Sequence, residues 1–265
     1  MILKHYLMRT IKDPINLLML ILFPVAMITI FTATGRTDID EAFRLTDQGF
    51  CIIATGNTFF NMMFFQYFGG MIVTDYLYNE FKTDMRWRLM ATPKPFSKFV
   101  ISAIMASLII SAVNGAIVLA YARFVLNAQL YNLPMIIGTL ALMATFVTLF
   151  GVLCFLVIPK KGTTTAVIMS FAFAQMLILN FGLLPNPGID AVGISSFFPV
   201  VAAVRAIDHV NYTIAEFTNP DLGFIGGWTV ADNNMTMALT HLGILAGLTI
   251  VTGIAVLILG KVRKI

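Results

Sequence analysis

Six apolar segments, each long enough to cross a lipid bilayer as a helix, constrain this chain more than any other feature of its sequence. A helix needs about 20 predominantly apolar residues to span a hydrocarbon layer of about 30 Å. Residues 133–158, for example, contain no Asp, Glu, Lys or Arg. The sequence therefore predicts an all-α membrane protein with six transmembrane helices. The predicted spans cover residues 15–34, 50–74, 97–126, 133–158, 163–184 and 236–260.

Composition supports this class. Hydrophobic residues make up 58% of the 265 residues and charged residues only 11%, whereas a soluble domain is about 25% charged. The mean hydropathy is +0.88. The formal net charge of +4 comes from basic residues that flank the spans, so nucleic acid is not predicted as a partner. We expect a multi-pass protein of the plasma membrane, surrounded by the lipid bilayer.

The distribution of Lys and Arg predicts the orientation. With both termini in the cytoplasm, the inside segments are 1–14, 75–98, 159–162 and 260–265. They hold 3, 5, 2 and 3 basic residues respectively, which is 13 of the 17 in the chain. Short cytoplasmic loops of membrane proteins carry an excess of Lys and Arg. The sequence therefore favours six spans with both ends inside.

Two segments outside the spans have a predicted structure of their own. Residues 1–13 predict an amphipathic helix in the membrane interface, because the apolar residues recur at helical spacing opposite basic residues. Segment 185–235 is extracellular in this topology and is too long for a simple turn. Within it, FFPVVAAVRAI at 197–207 is apolar but too short to span, and it predicts a re-entrant or interfacial helix.

The sequence shows no motif for ATP binding, metal binding or catalysis. No G-x-x-x-x-G-K-[ST] motif is present, so the chain does not encode the loop that holds ATP phosphates. The three histidines, His5, His209 and His241, lack the spacing of metal ligands. For Asp208-His209 a structural role is favoured over catalysis. We therefore predict no catalytic residue, no metal site and no enzyme activity in this chain.

Polar and aromatic residues inside the spans are the candidates for a substrate path. Asn57 and Asn61 lie four residues apart on span two and share a face, Phe64 and Phe68 follow them, and Gln175 lies in span five. Polar groups in lipid are costly and often functional. The alternative is hydrogen bonding between helices, worth about 0.6–2 kcal/mol each, with the aromatic residues facing lipid.

Small residues suggest where helices pack closely. Gly243 and Gly247 in span six form a G-x-x-x-G pattern, which is typical of closely approaching transmembrane helices. This spacing predicts a close helix contact at span six.

The basic segment after span two predicts a helix over residues 78–92, ended by Pro93. One face is apolar and another carries an i, i+4 pair of Asp84 and Arg88. A solvated positive loop would explain the charge but not the apolar face beside Trp87. An amphipathic helix of this kind docks on the bilayer surface or in a groove of another protein.

Three stretches resemble the membrane subunits of ABC-2 type exporters, in the branch that exports drugs and peptides. MRTIKDPINLLMLILFP at 8–24 is similar to the start of that family, and SSFFPVVAAVRAI at 195–207 to the motif after span five. NEFKTDMRWRLMATPKPFSKFVIS at 79–102 resembles its most specific segment. On this resemblance, residues 1–265 form one ABC-2 transmembrane domain of a bacterial exporter.

The resemblance implies partners and a coupling site. Two separate ABC ATPase subunits would bind ATP and Mg²⁺, a second permease, identical or a sister chain, would complete the transporter, and this chain would need no cofactor. The 78–92 helix would be the coupling helix, seated in a cleft of each ATPase. The implied substrate is an amphipathic drug, peptide or lipid-like molecule leaving the cytoplasm. The coupling residues would be Glu80, Phe81, Met85, Arg86, Trp87, Arg88 and Leu89.

Three alternatives stand beside an ABC permease that exports drugs or peptides. A stand-alone secondary transporter or channel usually carries charges at mid-membrane or an inverted repeat, and the predicted spans show no mid-span acid. A permease for polysaccharide or lipid-linked glycan is disfavoured, because the start lacks the basic-aromatic pattern of such relatives. A membrane-embedded enzyme would need a catalytic constellation that the sequence does not show.

Overall fold

The described part of the chain is helical. A computed structural model describes residues 2–13, 18–34, 47–83, 96–128, 130–181, 192–211 and 235–262, and these residues contain no β-strand. A π-helical turn, Leu18–Leu22, precedes α2, and a 3-10 turn, Ile194–Phe197, precedes α8. The α-helices in chain order are α1 Ile2–Lys12, α2 Phe23–Thr34, α3 Asp47–Phe65, α4 Tyr67–Phe81, α5 Phe96–Phe124, α6 Leu133–Val157, α7 Lys161–Phe181, α8 Pro199–Asn211 and α9 Met235–Val262.

Three of these helices are long and apolar enough to cross a membrane. They are Ser97–Phe124, Leu133–Val157 and Met235–Val262, with mean hydropathies of 2.2 to 2.6. A shorter apolar helix, Leu20–Ala33, lies within the first predicted span. A mostly helical membrane protein is thus confirmed, whereas the count of six spans and the orientation of the termini stay predictions.

The second predicted span, 50–74, consists of two helices. α3 ends at Phe65 and α4 begins at Tyr67, with a turn at Gln66 whose carbonyl accepts a hydrogen bond from the Gly69 amide at 2.9 Å. α4 then continues beyond residue 74 to Phe81, because TDYLYNEF contains no helix-breaking Gly or Pro. The first four residues of the predicted 78–92 helix are therefore the last turn of α4.

α4 and α6 cross at two glycines. A Cβ atom added to Gly151 would lie 2.4 Å from the Gly70 carbonyl oxygen, and one added to Gly70 would lie 2.7 Å from the Val147 carbonyl oxygen. Only glycine allows this backbone approach. At Gly243 and Gly247 an added Cβ would meet no described atom within 4 Å. The close packing predicted at span six is therefore not formed within the described part of this chain.

α1 and α8 pack against different helices of the bundle. α1 lies against α5, with Tyr6 and Thr10 buried, but Ile11 of its predicted apolar face is 58% exposed. Of the helix predicted at 197–207, residues 199–207 lie in α8, whereas its re-entrant or interfacial position stays a prediction. α8 packs against α6 and α9, and its apolar side chains are buried.

Candidate functional site

The last turn of α4 carries the two predicted coupling residues that the structure describes. Glu80 is only 8% exposed and faces Tyr6 of α1. Burial raises the pKa of Glu80 above its usual range, although the neighbouring Tyr6 acts in the opposite direction. The Phe81 ring lies 6.4 Å from that of Phe155 in α6. The other predicted coupling residues, Met85, Arg86, Trp87, Arg88 and Leu89, lie outside the described residues.

Polar contacts join the end of α4 to α1. The Tyr76 hydroxyl donates a hydrogen bond to the Tyr6 carbonyl at 3.0 Å and shares a second one with the Thr10 hydroxyl. The Tyr6 and Tyr76 rings lie 4.7 Å apart. Arg9 forms an ion pair with Asp75 at 3.4 Å. α1 is therefore fixed to α4 by side chains from two successive positions of α4.

A second set of contacts joins the same end of α4 to the turn between α6 and α7, residues 158–160. The Tyr78 hydroxyl donates to the Ile158 carbonyl at 2.5 Å and lies 2.8 Å from the Thr164 hydroxyl. The Lys82 ammonium donates to the carbonyls of Ile158 at 2.9 Å and Pro159 at 3.3 Å. It also lies 4.5 Å from the centre of the Tyr78 ring, within range of a cation–π interaction.

Asp75 connects both sets. Its carboxylate pairs with Arg9 of α1 and with Lys161, the first residue of α7. Asn79, one turn further along α4, donates to the same carboxylate at 2.9 Å. The Asp75 side chain is 30% exposed, so solvent weakens each ion pair. Three helices nevertheless converge on this one acid.

The five predicted path residues lie in α3, α4 and α7, mostly buried among other helices. Asn61 is buried and donates to the Asn57 carbonyl one turn before it at 2.7 Å. The Phe64 ring lies 5.4 Å from that of Phe173 in α7, and the Phe68 ring stacks on another ring of the same aromatic cluster. The side-chain amide nitrogen of Asn61 therefore has its hydrogen-bond acceptor within α3 itself.

Gln175 ties three helices together, as the alternative interpretation of these polar residues expected. It is completely buried. Its amide nitrogen donates to the Tyr67 hydroxyl of α4 at 2.6 Å, and its amide oxygen accepts from the Val200 amide of α8 at 2.9 Å. Val200 lies in the first turn of α8, where backbone amides have no intrahelical acceptor. Gln175 therefore satisfies an end of α8 and holds it to α4 and α7.

A cavity of about 220 Å³ opens beside the Asp75 cluster. Its lining includes the apolar side chains of Leu20, Phe68 and Met71 and the charged side chains of Asp13, Asp75 and Lys161, among other residues. One of the predicted path residues, Phe68, thus lines an open space. The cavity lining combines apolar side chains with charged groups of both signs.

At another place in the fold, α8 and α9 bring titratable groups together. The rings of His209 and His241 stack 5.4 Å apart, and Arg205 donates to the Ser196 hydroxyl at 2.9 Å. Burial raises the pKa of Asp208 to about 8, while the charge of Arg205 opposes this shift. No group of three or more metal-binding side chains occurs among the residues searched, which are the described ones. The geometry fits a structural cluster.

Comparison with known families identifies the chain. Residues 46–258 match the family model described as ABC-2 family transporter protein. The chain belongs to this ABC-2 family. No curated protein matches the sequence. Membership makes the chain the membrane subunit of an ABC transporter and implies an ABC ATPase as its partner.

The matched range defines which observations belong to the ABC-2 domain. It includes α4, the turn at 158–160 and all predicted coupling and path residues, whereas α1 precedes it. Sequence patterns did not single out Asp75, Tyr76 or Tyr78 of the ABC-2 domain as functional. The available signal was an acid and two tyrosines at the end of a predicted span, which also suits an ordinary membrane boundary.

Proposed function

We propose that this ABC-2 permease is the membrane subunit of an exporter that moves an amphipathic drug, peptide or lipid-like molecule out of the cytoplasm. A separate ATPase subunit hydrolyses ATP with Mg²⁺, and the permease itself is not an enzyme. Two such ATPases and a second permease complete the transporter in the plasma membrane. The six spans have both termini in the cytoplasm, and the 78–92 segment receives the ATPase.

The attachment of α4 at its end is the observation that supports this coupling site best. α4 runs without a break from Tyr67 to Phe81, directly before the basic and aromatic segment 84–95. Contacts on two sides hold that end to α1 and to the 158–160 turn. A force applied just beyond Phe81 would reach several helices.

The cavity beside Asp75 supports the amphipathic class of substrate. The apolar side chains in its lining, among them Leu20, Phe68 and Met71, suit a lipophilic group. The charged groups in the same lining suit a polar head. At about 220 Å³ it accommodates part of such a molecule.

The coupling assignment is tested with the tagged permease and the ATPase that co-purifies with it. The triple variant Trp87→Ala, Arg88→Ala, Leu89→Ala should lose most of the bound ATPase, because it removes the aromatic, basic and apolar contacts together. Lys261→Ala, at the exposed end of α9, removes a basic residue elsewhere and should keep the complex. The measurement is the amount of ATPase recovered and its rate of hydrolysis.

The outcome that contradicts the coupling site is a triple variant that assembles and hydrolyses ATP like the unmodified complex. The substrate class is tested in liposomes containing the complex. A fluorescent short-chain phospholipid, an amphipathic peptide and a lipophilic dye serve as probes. ATP-dependent movement of at least one is expected, and movement driven by an ion gradient without ATPase would refute the proposed exporter.

A further inference from the structure

Tyr76 and Tyr78 lie two residues apart on α4 and reach different neighbours. At 3.6 residues per turn, positions two apart point about 200° apart around the helix. The Tyr76 hydroxyl contacts α1 through Thr10 and the Tyr6 carbonyl. The Tyr78 hydroxyl contacts the 158–160 turn and Thr164 of α7. The same functional group is thus used on two sides of one helix end.

On each side one acceptor is a backbone carbonyl, that of Tyr6 or that of Ile158. Each of these contacts therefore depends directly on the position of the backbone segment that carries the carbonyl. Ile158 immediately follows α6, and carbonyls at the end of a helix lack intrahelical donors. Tyr78 and Lys82 supply donors to the Ile158 carbonyl, and the bond from the Lys82 ammonium is charge-assisted. The 158–160 turn therefore cannot move away from α4 without breaking these hydrogen bonds.

Asp75 strengthens the connection on both sides at once. It pairs with Arg9 of α1 and Lys161 of α7. These pairs are partly exposed, so each contributes little by itself. Together with the buried hydroxyl contacts they join α1, α4 and α7 at one level of the bundle.

We propose that Tyr76 and Tyr78 are positioning residues that pass movement of α4 separately to α1 and to the turn between α6 and α7, with Asp75 linking the two routes. This inference rests on the proposed function, in which the ATPase acts on the segment after α4. We call α4 a divided lever, because its movement is passed to two separate groups of helices. Tyr76 drives the N-terminal helix, and Tyr78 drives α6 and α7.

The paired variants Tyr76→Phe and Tyr78→Phe test this directly. Each removes one hydroxyl and keeps the ring, so the Tyr6–Tyr76 ring contact and the Tyr78–Phe155 contact at 5.1 Å remain. Tyr121→Phe is the matched control, since its hydroxyl bonds Thr29 at 2.7 Å elsewhere in the bundle. Hydrogen exchange is measured on the complex with co-purified ATPase, with and without ATP plus vanadate, over peptides 2–12, 84–95 and 158–165.

The expected result is a selective loss of response. In the unmodified complex nucleotide changes exchange in all three peptides. Tyr78→Phe should reduce the change in 158–165 by about fivefold, the factor expected for one lost hydrogen bond, and leave that in 2–12. Tyr76→Phe should do the reverse, and Tyr121→Phe should alter none. A purely structural role would change basal exchange without this side-specific pattern.

Two other results would contradict this inference. If 84–95 responds and either variant still shows both remote responses, or loses both together, the divided lever is wrong and the proposed exporter is unaffected. If nucleotide changes nothing in 84–95 of the unmodified complex, the proposed coupling site is wrong and this inference falls with it.

Discussion

Replacing Gly151 by Ala should force α4 and α6 apart and destabilise the bundle. The new Cβ would lie 2.4 Å from the Gly70 carbonyl oxygen and 3.0 Å from its carbonyl carbon. Real Cβ atoms essentially never approach closer than 3.0 Å, so the backbones must separate by at least about 0.6 Å. The Val73 Cγ1 atom would also lie 2.9 Å away, but the closest opposing atom belongs to the backbone, so no side-chain rotation relieves the clash.

The size of the effect follows from two opposing contributions. Overpacking a close contact costs about 1–3 kcal/mol, while Ala in place of Gly within a helix recovers up to about 1 kcal/mol. The separation also lengthens the hydrogen bond from Thr74 to the Gly151 carbonyl, now 3.2 Å. A net loss of about 1–2 kcal/mol corresponds to a fall in melting temperature of roughly 2–8 °C for a chain of this size.

Thermal unfolding of the purified protein in detergent measures this change. Gly247→Ala is the matched control, because an added Cβ there meets no described atom within 4 Å, and its melting temperature should stay unchanged or rise. A Gly151→Ala protein as stable as the Gly247→Ala protein would refute the inferred helix crossing.

Two further substitutions test buried polar groups elsewhere in the bundle. Gln175→Leu removes the hydrogen bonds to the Tyr67 hydroxyl and the Val200 amide and leaves both groups unsatisfied. The free energy of unfolding, measured by chemical denaturation, should therefore fall by about 2–4 kcal/mol. An unchanged denaturation midpoint would contradict this prediction. Because burial raises the pKa of Asp208 from its ordinary value of 3.8 to about 8, the stability that its protonated form provides is complete below about pH 4 and is lost as the pH rises to about 8. Asp208→Asn should therefore abolish that decline in melting temperature between pH 4 and pH 8, and an equally steep decline in the variant would disprove the assignment.

The helices themselves could be predicted because the sequence encodes them locally. α6 begins where Asn132 accepts a hydrogen bond from the Met135 amide at 3.3 Å, with Pro134 in its first turn. α8 coincides with a short apolar run too short to span a membrane. Both signals lie within a few residues of the element that they specify. The break at Gln66 carries no comparable signal, since neither Gly nor Pro occupies that position.

Contacts between segments that are distant in the sequence could not be predicted from sequence patterns. The G-x-x-x-G spacing in α9 pointed to Gly243 and Gly247, but within the described chain the close crossing uses Gly70 of α4 and Gly151 of α6. A spacing motif describes one helix, whereas a crossing needs one small residue on each of two helices. The same holds for Asp75, which meets partners 66 and 86 positions away in the sequence.

α4 is held by neighbouring helices at several points along its length. Its first residue, Tyr67, is held by Gln175 of α7, and its next turn crosses α6 at Gly70. Its last turns are held by α1 and the 158–160 turn. A continuous α-helix resists compression and bending because each residue is bonded to the next turn, so a displacement applied at Phe81, as the proposed coupling requires, would be delivered at each of these points. The turn at Gln66 interrupts that ladder, so such a displacement would pass from α4 into α6 and α7 through side-chain and close backbone contacts more directly than along the backbone into α3.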